Sequence, residues 1–168
     1  MHHIVRAAVV AAALVAASAA SAQKKYAQGV SDAEIRIGQT MPYSGPASAY
    51  GILGRAQVAY FRMINEQGGV NGRKINLISL DDGFSPPKTV EATRRLVEDD
   101  GVFFTFSSVG TAAQSAVQKY LNAKKVPQLF LSTGAAKFND PARFPLTTPI
   151  LHLYSTEGEV YARYLLAS

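Results

Sequence analysis

Three short stretches of hydroxyl-bearing and small residues are the part of this sequence best suited to chemistry. They are Pro42-Tyr43-Ser44-Gly45-Pro46-Ala47-Ser48-Ala49-Tyr50-Gly51, Ser107-Ser108-Val109-Gly110-Thr111 and Ser132-Thr133-Gly134-Ala135-Ala136. Glycine lets the backbone approach a ligand closely. Hydroxyls and the N–H groups of a helix N-terminus can together hold an anionic group such as a carboxylate without a buried lysine or arginine. Tyr50 would add an aromatic wall with a polar tip. Each stretch also has a plain structural reading. Thr111-x-x-Gln114 has the form of a capping box, Ser44-Gly45-Pro46 is a common turn, Tyr50 can pack beneath its own loop, and Ser132-Thr133-Gly134 can be a strand exit. Three such stretches at one sheet edge favour a single pocket over three coincidences.

Catalytic signatures are weak by comparison. His152 would be the one histidine left after removal of the first 22 residues. It lies in an apolar segment, which favours a satisfied structural histidine over a catalytic base. No G-x-S-x-G elbow supplies a hydrolase nucleophile. The sequence has no H-E-x-x-H motif and no phosphate-binding glycine loop. No metal or cofactor is implied. Asp81-Asp82 ends an apolar run, and with no second acidic cluster nearby in sequence it is read as a loop cap.

The elements that must position these stretches follow from hydrophobic periodicity. Strands are expected over Glu34 to Thr40, Lys74 to Leu80, Val102 to Phe106, Val126 to Leu131 and Leu146 to Leu153. The third, dense in phenylalanine, reads as buried on both faces. Between them lie helices: Gly51 to Gln67, burying Ile52, Ala56, Ala59, Tyr60, Met63 and Ile64 and ending at Gly68-Gly69; Ser85-capped Pro86 to Asp99, burying Val90, Thr93, Leu96 and Val97; and one from Thr111, burying Ala113, Ala116, Val117, Tyr120 and Leu121. A last helix is expected from Thr156-x-x-Glu159, carrying Val160, Tyr164 and Leu165. The alternation predicts an α/β fold, a doubly wound parallel sheet with helices on both faces. If the strand order is 2-1-3-4-5, the loops after strands one, three and four meet at the ligand-binding edge.

The first 22 residues read as an export signal. Arg6 gives a positive start, Ala7 to Ala17 is an apolar run, and Ala20-Ser21-Ala22 is a cleavage pattern that makes Gln23 the first mature residue. The run is shorter than the roughly 20 residues of a membrane span. The 168-residue chain has no cysteine, so it carries neither a disulfide nor a lipid-anchored Cys. Its net charge of +5 is scattered over many elements, with no basic block interleaved with aromatics, so nucleic acid is not implied. An exported, soluble, periplasmic small-molecule receptor is the resulting expectation.

Ile37-Gly38, Pro42-x-Ser44-Gly45-Pro46, Tyr50-Gly51, Ile64-Asn65, Gly68-Gly69-Val70-x-Gly72-Arg73 and Asp81-Asp82 occur in this order, followed by Ala92 to Val97, Val102 and the two small-residue loops. In these pieces, from about Glu34 to Ser168, the chain resembles the periplasmic Leu/Ile/Val-binding proteins, substrate-binding components of branched-chain amino acid ABC transporters. The resemblance implies a type I periplasmic-binding fold, whose two lobes close on a ligand. Together with the export signal it gives an expected division into a signal peptide (1–22), a flexible leader (23–33), a first ligand-binding lobe (34–150) and a crossover with the start of a second lobe (151–168). It implies that Tyr50, Ser108, Val109, Gly110, Thr111, Thr133, Gly134, Ala135 and Ala136 line half a cleft that holds the ligand carboxylate, with Tyr154 a further contact. The implied partners are an amino acid or small carboxylate and a membrane permease, with the receptor a monomer and no enzyme. The chain departs from the family at Ala135-Ala136, where members often carry a hydroxyl, and in length, since the second lobe is largely absent and the chain reads as a fragment. The alternatives are a ligand-sensing input of the same fold and a secreted α/β hydrolase built around His152.

Overall fold

The structure, a computed structural model, describes residues 26–167. The export signal therefore lies outside the described residues. Five strands, β1 (Glu34–Met41), β2 (Lys74–Asp81), β3 (Phe104–Phe106), β4 (Gln128–Leu131) and β5 (Thr147–Pro149), form one sheet in the order β2-β1-β3-β4-β5. Every pairing within it is parallel. The helices are α1 (Gly51–Glu66), α2 (Pro86–Glu98), α3 (Thr111–Ala123) and α4 (Tyr154–Ala167). The expected doubly wound sheet is present, and its strand order is the one on which the meeting of the three loops was made conditional.

The register runs from Glu34 opposite Lys74 to Met41 opposite Asp81, and sets Ile37 beside Phe104 and Thr105 beside Gln128. Because side chains alternate across a strand, Gly38, Thr40, Thr105 and Gln128 face α2 and α3, while Ile37, Gln39, Phe104 and Phe106 face the α1 side. On the first face Leu96 presses against Gly38, where an added Cβ would sit 3.0 Å from its side chain. Val97, Val117, Leu121 and Val126 form the apolar cluster there.

Both faces also carry buried polar wiring. Gln114, 1% exposed, donates from Nε2 to Thr40 Oγ1 at 3.0 Å and accepts at Oε1 from Gln128 Nε2 at 3.2 Å. Thr147 Oγ1 donates to Gln128 Oε1 at 3.2 Å, and Asn122 Nδ2 donates to Thr147 Oγ1 at 2.9 Å. The chain of bonds ties α3 to β1, β4 and β5. On the other face Gln39 bonds to Gln57 of α1, whose Nε2 donates to Ser107 Oγ at 2.9 Å.

That second network explains the largest departure from the expected packing. The stripe Ile52, Ala56, Ala59, Tyr60, Met63 does not face the sheet. All five residues are exposed, Ile52 by 59% and Tyr60 by 56%. α1 instead turns Gly54, Gln57, Val58 and Phe61 inward, with Gln57 on Gln39 and the Phe61 ring 5.5 Å from that of Phe106. A hydrogen-bonded glutamine thus occupies the position that hydropathy reserves for an apolar residue.

Other boundaries shift too. β3 is three residues long and is not buried on both faces: Thr105 is buried, while Phe104 and Phe106 on the α1 side are only partly covered. β5 is Thr147–Pro149, shorter than the expected Leu146 to Leu153. α4 starts at Tyr154 rather than at Thr156, and Val160, Tyr164 and Leu165 on it are exposed. Ser85 stands at the N-cap of α2 but makes no side-chain cap bond; its carbonyl accepts the Thr89 N–H at 2.9 Å. The described part of the expected leader is tied down: Gln28 Nε2 donates to Val97 O at 3.0 Å, Arg36 N donates to Gly29 O at 2.7 Å, and Val30 bridges to Ile35.

The amide of Gln114 cannot be replaced by an apolar group of similar length without stranding buried partners. Gln114→Met is expected to lower unfolding free energy by about 1–3 kcal/mol, read from urea denaturation followed by circular dichroism. An unchanged midpoint would show that Thr40 and Gln128 find other partners.

Candidate functional site

Parallel strands deliver all their carboxyl ends to one edge, and four loops gather there. Two are fixed by the consecutive carboxylates that end β2. Asp81 Oδ1 accepts the N–H groups of Tyr43 (2.9 Å), Ser44 (3.1 Å) and Gly83 (3.0 Å), while Oδ2 accepts Ser44 Oγ–H at 2.5 Å. It thereby pins the loop after β1 to the loop after β2. Asp82, fully buried, accepts the Phe84 N–H at 3.0 Å and the Thr89 hydroxyl at 2.8 Å. Loop capping is what both carboxylates do.

The loop after β3 is held from within. Thr40 N–H donates to Ser108 Oγ at 3.0 Å, and Ser132 N–H donates to Ser108 O at 3.1 Å. Ser108 and Val109 are 2% and 5% exposed, so their side chains anchor the loop. Gly110 follows at φ +105, a conformation that favours glycine, and it stands at the N-cap of α3 without a side-chain cap. The capping box expected at Thr111-x-x-Gln114 does not form. Thr111 is the first helical residue, and Gln114 points into the sheet. The Thr111 hydroxyl is instead 2.7 Å from Thr133 Oγ1.

Thr133 completes a cluster of hydroxyls. Its Oγ1 accepts the Ala135 N–H at 3.3 Å and lies 3.4 Å from the Tyr154 phenol. Gly134 allows the chain entering α4 to come close: a Cβ there would meet His152 O at 2.4 Å. Its carbonyl accepts the Tyr154 N–H at 2.9 Å. Ala135 and Ala136 lead into a short 3₁₀ turn whose Phe138 is fully buried. The Tyr154 phenol is held below its ordinary value of 10.0, chiefly by the Thr133 hydroxyl and then by the Gly134 backbone, against burial.

The structure thus brings together Gly110, Thr111, Thr133, Gly134 and Tyr154. Tyr50 ends the 3₁₀ turn Ser48–Tyr50 at the same sheet edge and is 55% exposed, with no hydrogen bond from its side chain to that cluster. His152 is not a core histidine. Its side chain is 66% exposed, and its Nε2 lies 3.7 Å from Glu157 Oε2. Sequence reasoning missed Phe84, whose ring occupies the space beside Gly110: a Cβ on that glycine would lie 2.7 Å from Cε2 of the ring. The sole signal was a bulky residue inside the turn Asp82-Gly83-Phe84-Ser85. A surface groove between β2 and α2, lined by Lys88, Glu91, Arg94, Arg95, Glu98 and Asp99 among others, mixes both signs of charge.

A family model for periplasmic binding proteins matches residues 34–168. The chain belongs to the periplasmic binding protein family. It is 30% identical over 141 residues to the Leu/Ile/Val-binding protein BraC3 of Rhizobium johnstonii, covering 82% of this chain and 37% of that protein. It is 33% identical over 114 residues to the Leu/Ile/Val-binding protein homolog 4 of Brucella abortus, covering 65% of this chain and 27% of the relative. Among solved structures it is similar to a possible leucine/isoleucine/valine-binding protein from Rhodopirellula baltica, with 25% identity, a TM-score of 0.73, and coverage of 81% of this chain and 37% of the other. The chain therefore spans about a quarter to just over a third of the length of these relatives. Its parallel sheet is that of a type I periplasmic-binding protein.

In this family member the Asp81 clamp should be visible as a pH dependence. The Ser44 hydroxyl, opposed by burial and aided by the N–H groups of Gly83, Ser44 and Tyr43, holds the carboxyl below its ordinary value of 3.8. A depressed value means that ionised Asp81 stabilises the fold at all pH above 3.8, and that this contribution is lost as pH falls through the lower folded value. Asp81→Asn is expected to lower the melting temperature at pH 7 and to flatten its decline below pH 4. An unchanged acid limb would remove Asp81 from the clamp.

Proposed function

We propose that this chain is the first ligand-binding lobe of an extracytoplasmic substrate-binding protein of an ABC transporter. It takes up the carboxylate of an amino acid, branched-chain or related, or of another small acid. The observation that carries this reading is the convergence of the Thr111 and Thr133 hydroxyls, 2.7 Å apart, on the uncapped N-terminus of α3. The first-turn N–H groups of a helix have no intrahelical acceptor and carry the positive end of the dipole. The Thr111 hydroxyl and the Tyr154 phenol stand beside them, linked through the fully buried Thr133, so an anion is offered several hydrogen bonds and no fixed opposite charge. A carboxylate satisfies those donors, and release remains easy, as transport requires.

The family membership and the names of the similar Leu/Ile/Val-binding proteins support the same reading. Residues 34–150 form the lobe, and 151–168 begin the crossover to a second one. In a two-lobed protein, closure of the partner lobe over Thr111 and Tyr154 would bury the ligand and present the closed form to a membrane permease. Tyr50, Ser108, Val109, Gly110, Ala135 and Ala136 complete the lobe's half of the cleft, Ser108 and Val109 through their backbone. Export through a signal peptide at residues 1–22 places the protein in the periplasm, as a monomer.

Half a cleft makes half the contacts. Isothermal titration of the 168-residue chain with leucine is expected to give a dissociation constant of roughly millimolar. In ¹⁵N spectra the shifts should centre on the amides of Gly110 to Ala112 and Gly134 to Ala136. Thr111→Val should weaken binding by about tenfold or less. Micromolar affinity would overturn the incomplete half-site, and shifts confined to other loops would overturn the site itself.

A further inference from the structure

Phe84 has no place in the clamp or in the hydroxyl cluster, yet the fold holds it firmly at their border. Its φ is +61, a left-handed conformation that a bulky residue enters only at a cost. Glycine would adopt it freely, and Gly83 just before it does so at φ +56. The strained backbone is fixed by the buried Asp82, which accepts the Phe84 N–H at 3.0 Å through Oδ1 and the Ser85 N–H at 2.9 Å through its carbonyl. The aromatic side chain is thus kept at a position whose backbone favours its absence.

The ring that results is not a core residue. It is 39% exposed. One edge lies against Gly110, where it fills the space of the missing Cβ, and the next residue is Thr111. From there the cluster continues through Thr133 to Tyr154, itself 50% exposed. The row therefore reads aromatic face, helix N-terminus, two hydroxyls, aromatic phenol. An anion at Thr111 and the first turn of α3 would have an apolar ring on the Gly110 side.

We propose that Phe84 is a specificity-determining residue of this site, a wall that selects carboxylates bearing a flat or bulky apolar group over small bare ones. The inference rests on the carboxylate reading of the Thr111–Thr133 cluster. Gly110 is part of the same device, because any side chain there would displace the ring. Stacking on an exposed aromatic face adds affinity for a planar apolar substituent and none for a carboxylate alone.

Phenylacetate and acetate share the carboxylate and differ in the ring, so their affinity ratio isolates the wall. Both are titrated into the 168-residue chain and followed by the Gly110 and Gly134 amide shifts. The wild-type chain should prefer phenylacetate. Phe84→Gly, which also relieves the backbone, should cut that preference by about two- to tenfold, with acetate affected less, and Phe84→Tyr should keep it. An unchanged ratio in folded Phe84→Gly, or equal losses for both ligands, would overturn the proposal and leave Phe84 a packing residue. Should Phe84→Gly fail to fold, Phe84→Leu decides the matter: a retained ratio refutes the aromatic wall, and a reduced one supports it. If neither acid binds the wild-type chain at the cluster, the carboxylate reading fails, and the selectivity wall fails with it.

Discussion

The buried amide of Gln114 is the interaction on which the arrangement of the site depends. A parallel sheet brings its carboxyl ends to one edge, but nothing in the sheet fixes where the next helix begins. Gln114 does so by reaching from the first turn of α3 to Thr40 on β1 and to Gln128 on β4. Because the amide both donates and accepts, it sets the height and the rotation of the helix together. Gly110 and Thr111 then stand above the sheet edge, within hydrogen-bond distance of the loop after β4. In a low-dielectric interior such a network is strong when complete and costly when broken. This makes it a better locator than apolar contact, which tolerates sliding.

The same residue shows where the sequence was legible and where it was not. The alternation of strands and helices followed from periodicity, because it depends on gross burial, and the turns followed from glycine and asparagine; the order of the sheet entered only as a condition, which the structure meets. The identity of the residues doing the burying followed less well. Gln114 sits three positions after Thr111, a spacing that a capping box and an inward-facing amide share, and sequence alone favours the local explanation. Gln57 misled in the same way. Hydropathy assigns a glutamine to the surface, so the apolar stripe one step around α1 was turned inward, whereas Gln39 draws Gln57 to the sheet. Polar residues buried by mutual pairing escape a hydrophobicity pattern, since each partner supplies the reason for burying the other.

The candidate site was legible in part for a related reason. Glycines, hydroxyls and the ends of strands mark a loop cluster whatever its details, and Thr111, Thr133, Gly134 and Tyr154 do converge. The side chain of Ser108 turned inward because Thr40 N–H needs an acceptor there. His152, placed by its apolar neighbours in the core, is exposed because β5 ends at Pro149 and the chain leaves the sheet before reaching it. Phe84 gave no periodic signal, since its position is decided by a carboxylate two residues earlier and by the left-handed turn that carboxylate stabilises.

The division of labour among charges gives the site its character. The consecutive carboxylates at the end of β2 are consumed by the loops: Asp81 by three backbone N–H groups and a hydroxyl, Asp82 by Phe84 and Thr89. Both direct their oxygens at these loop donors and not at the neighbouring helix N-terminus. The groups at the N-terminus of α3 are therefore neutral: the half-buried Thr111 and the half-exposed Tyr154, joined through the buried Thr133 and backed by helix N–H donors. A site that held its ligand with a buried lysine or arginine would gain affinity and lose the ease of release. Fixed dipoles attract an anion with less desolvation penalty, so on the proposed reading selectivity has to come from what surrounds them. An aromatic ring, held beside Gly110 by Asp82, is one apolar surface that the fold puts next to those groups.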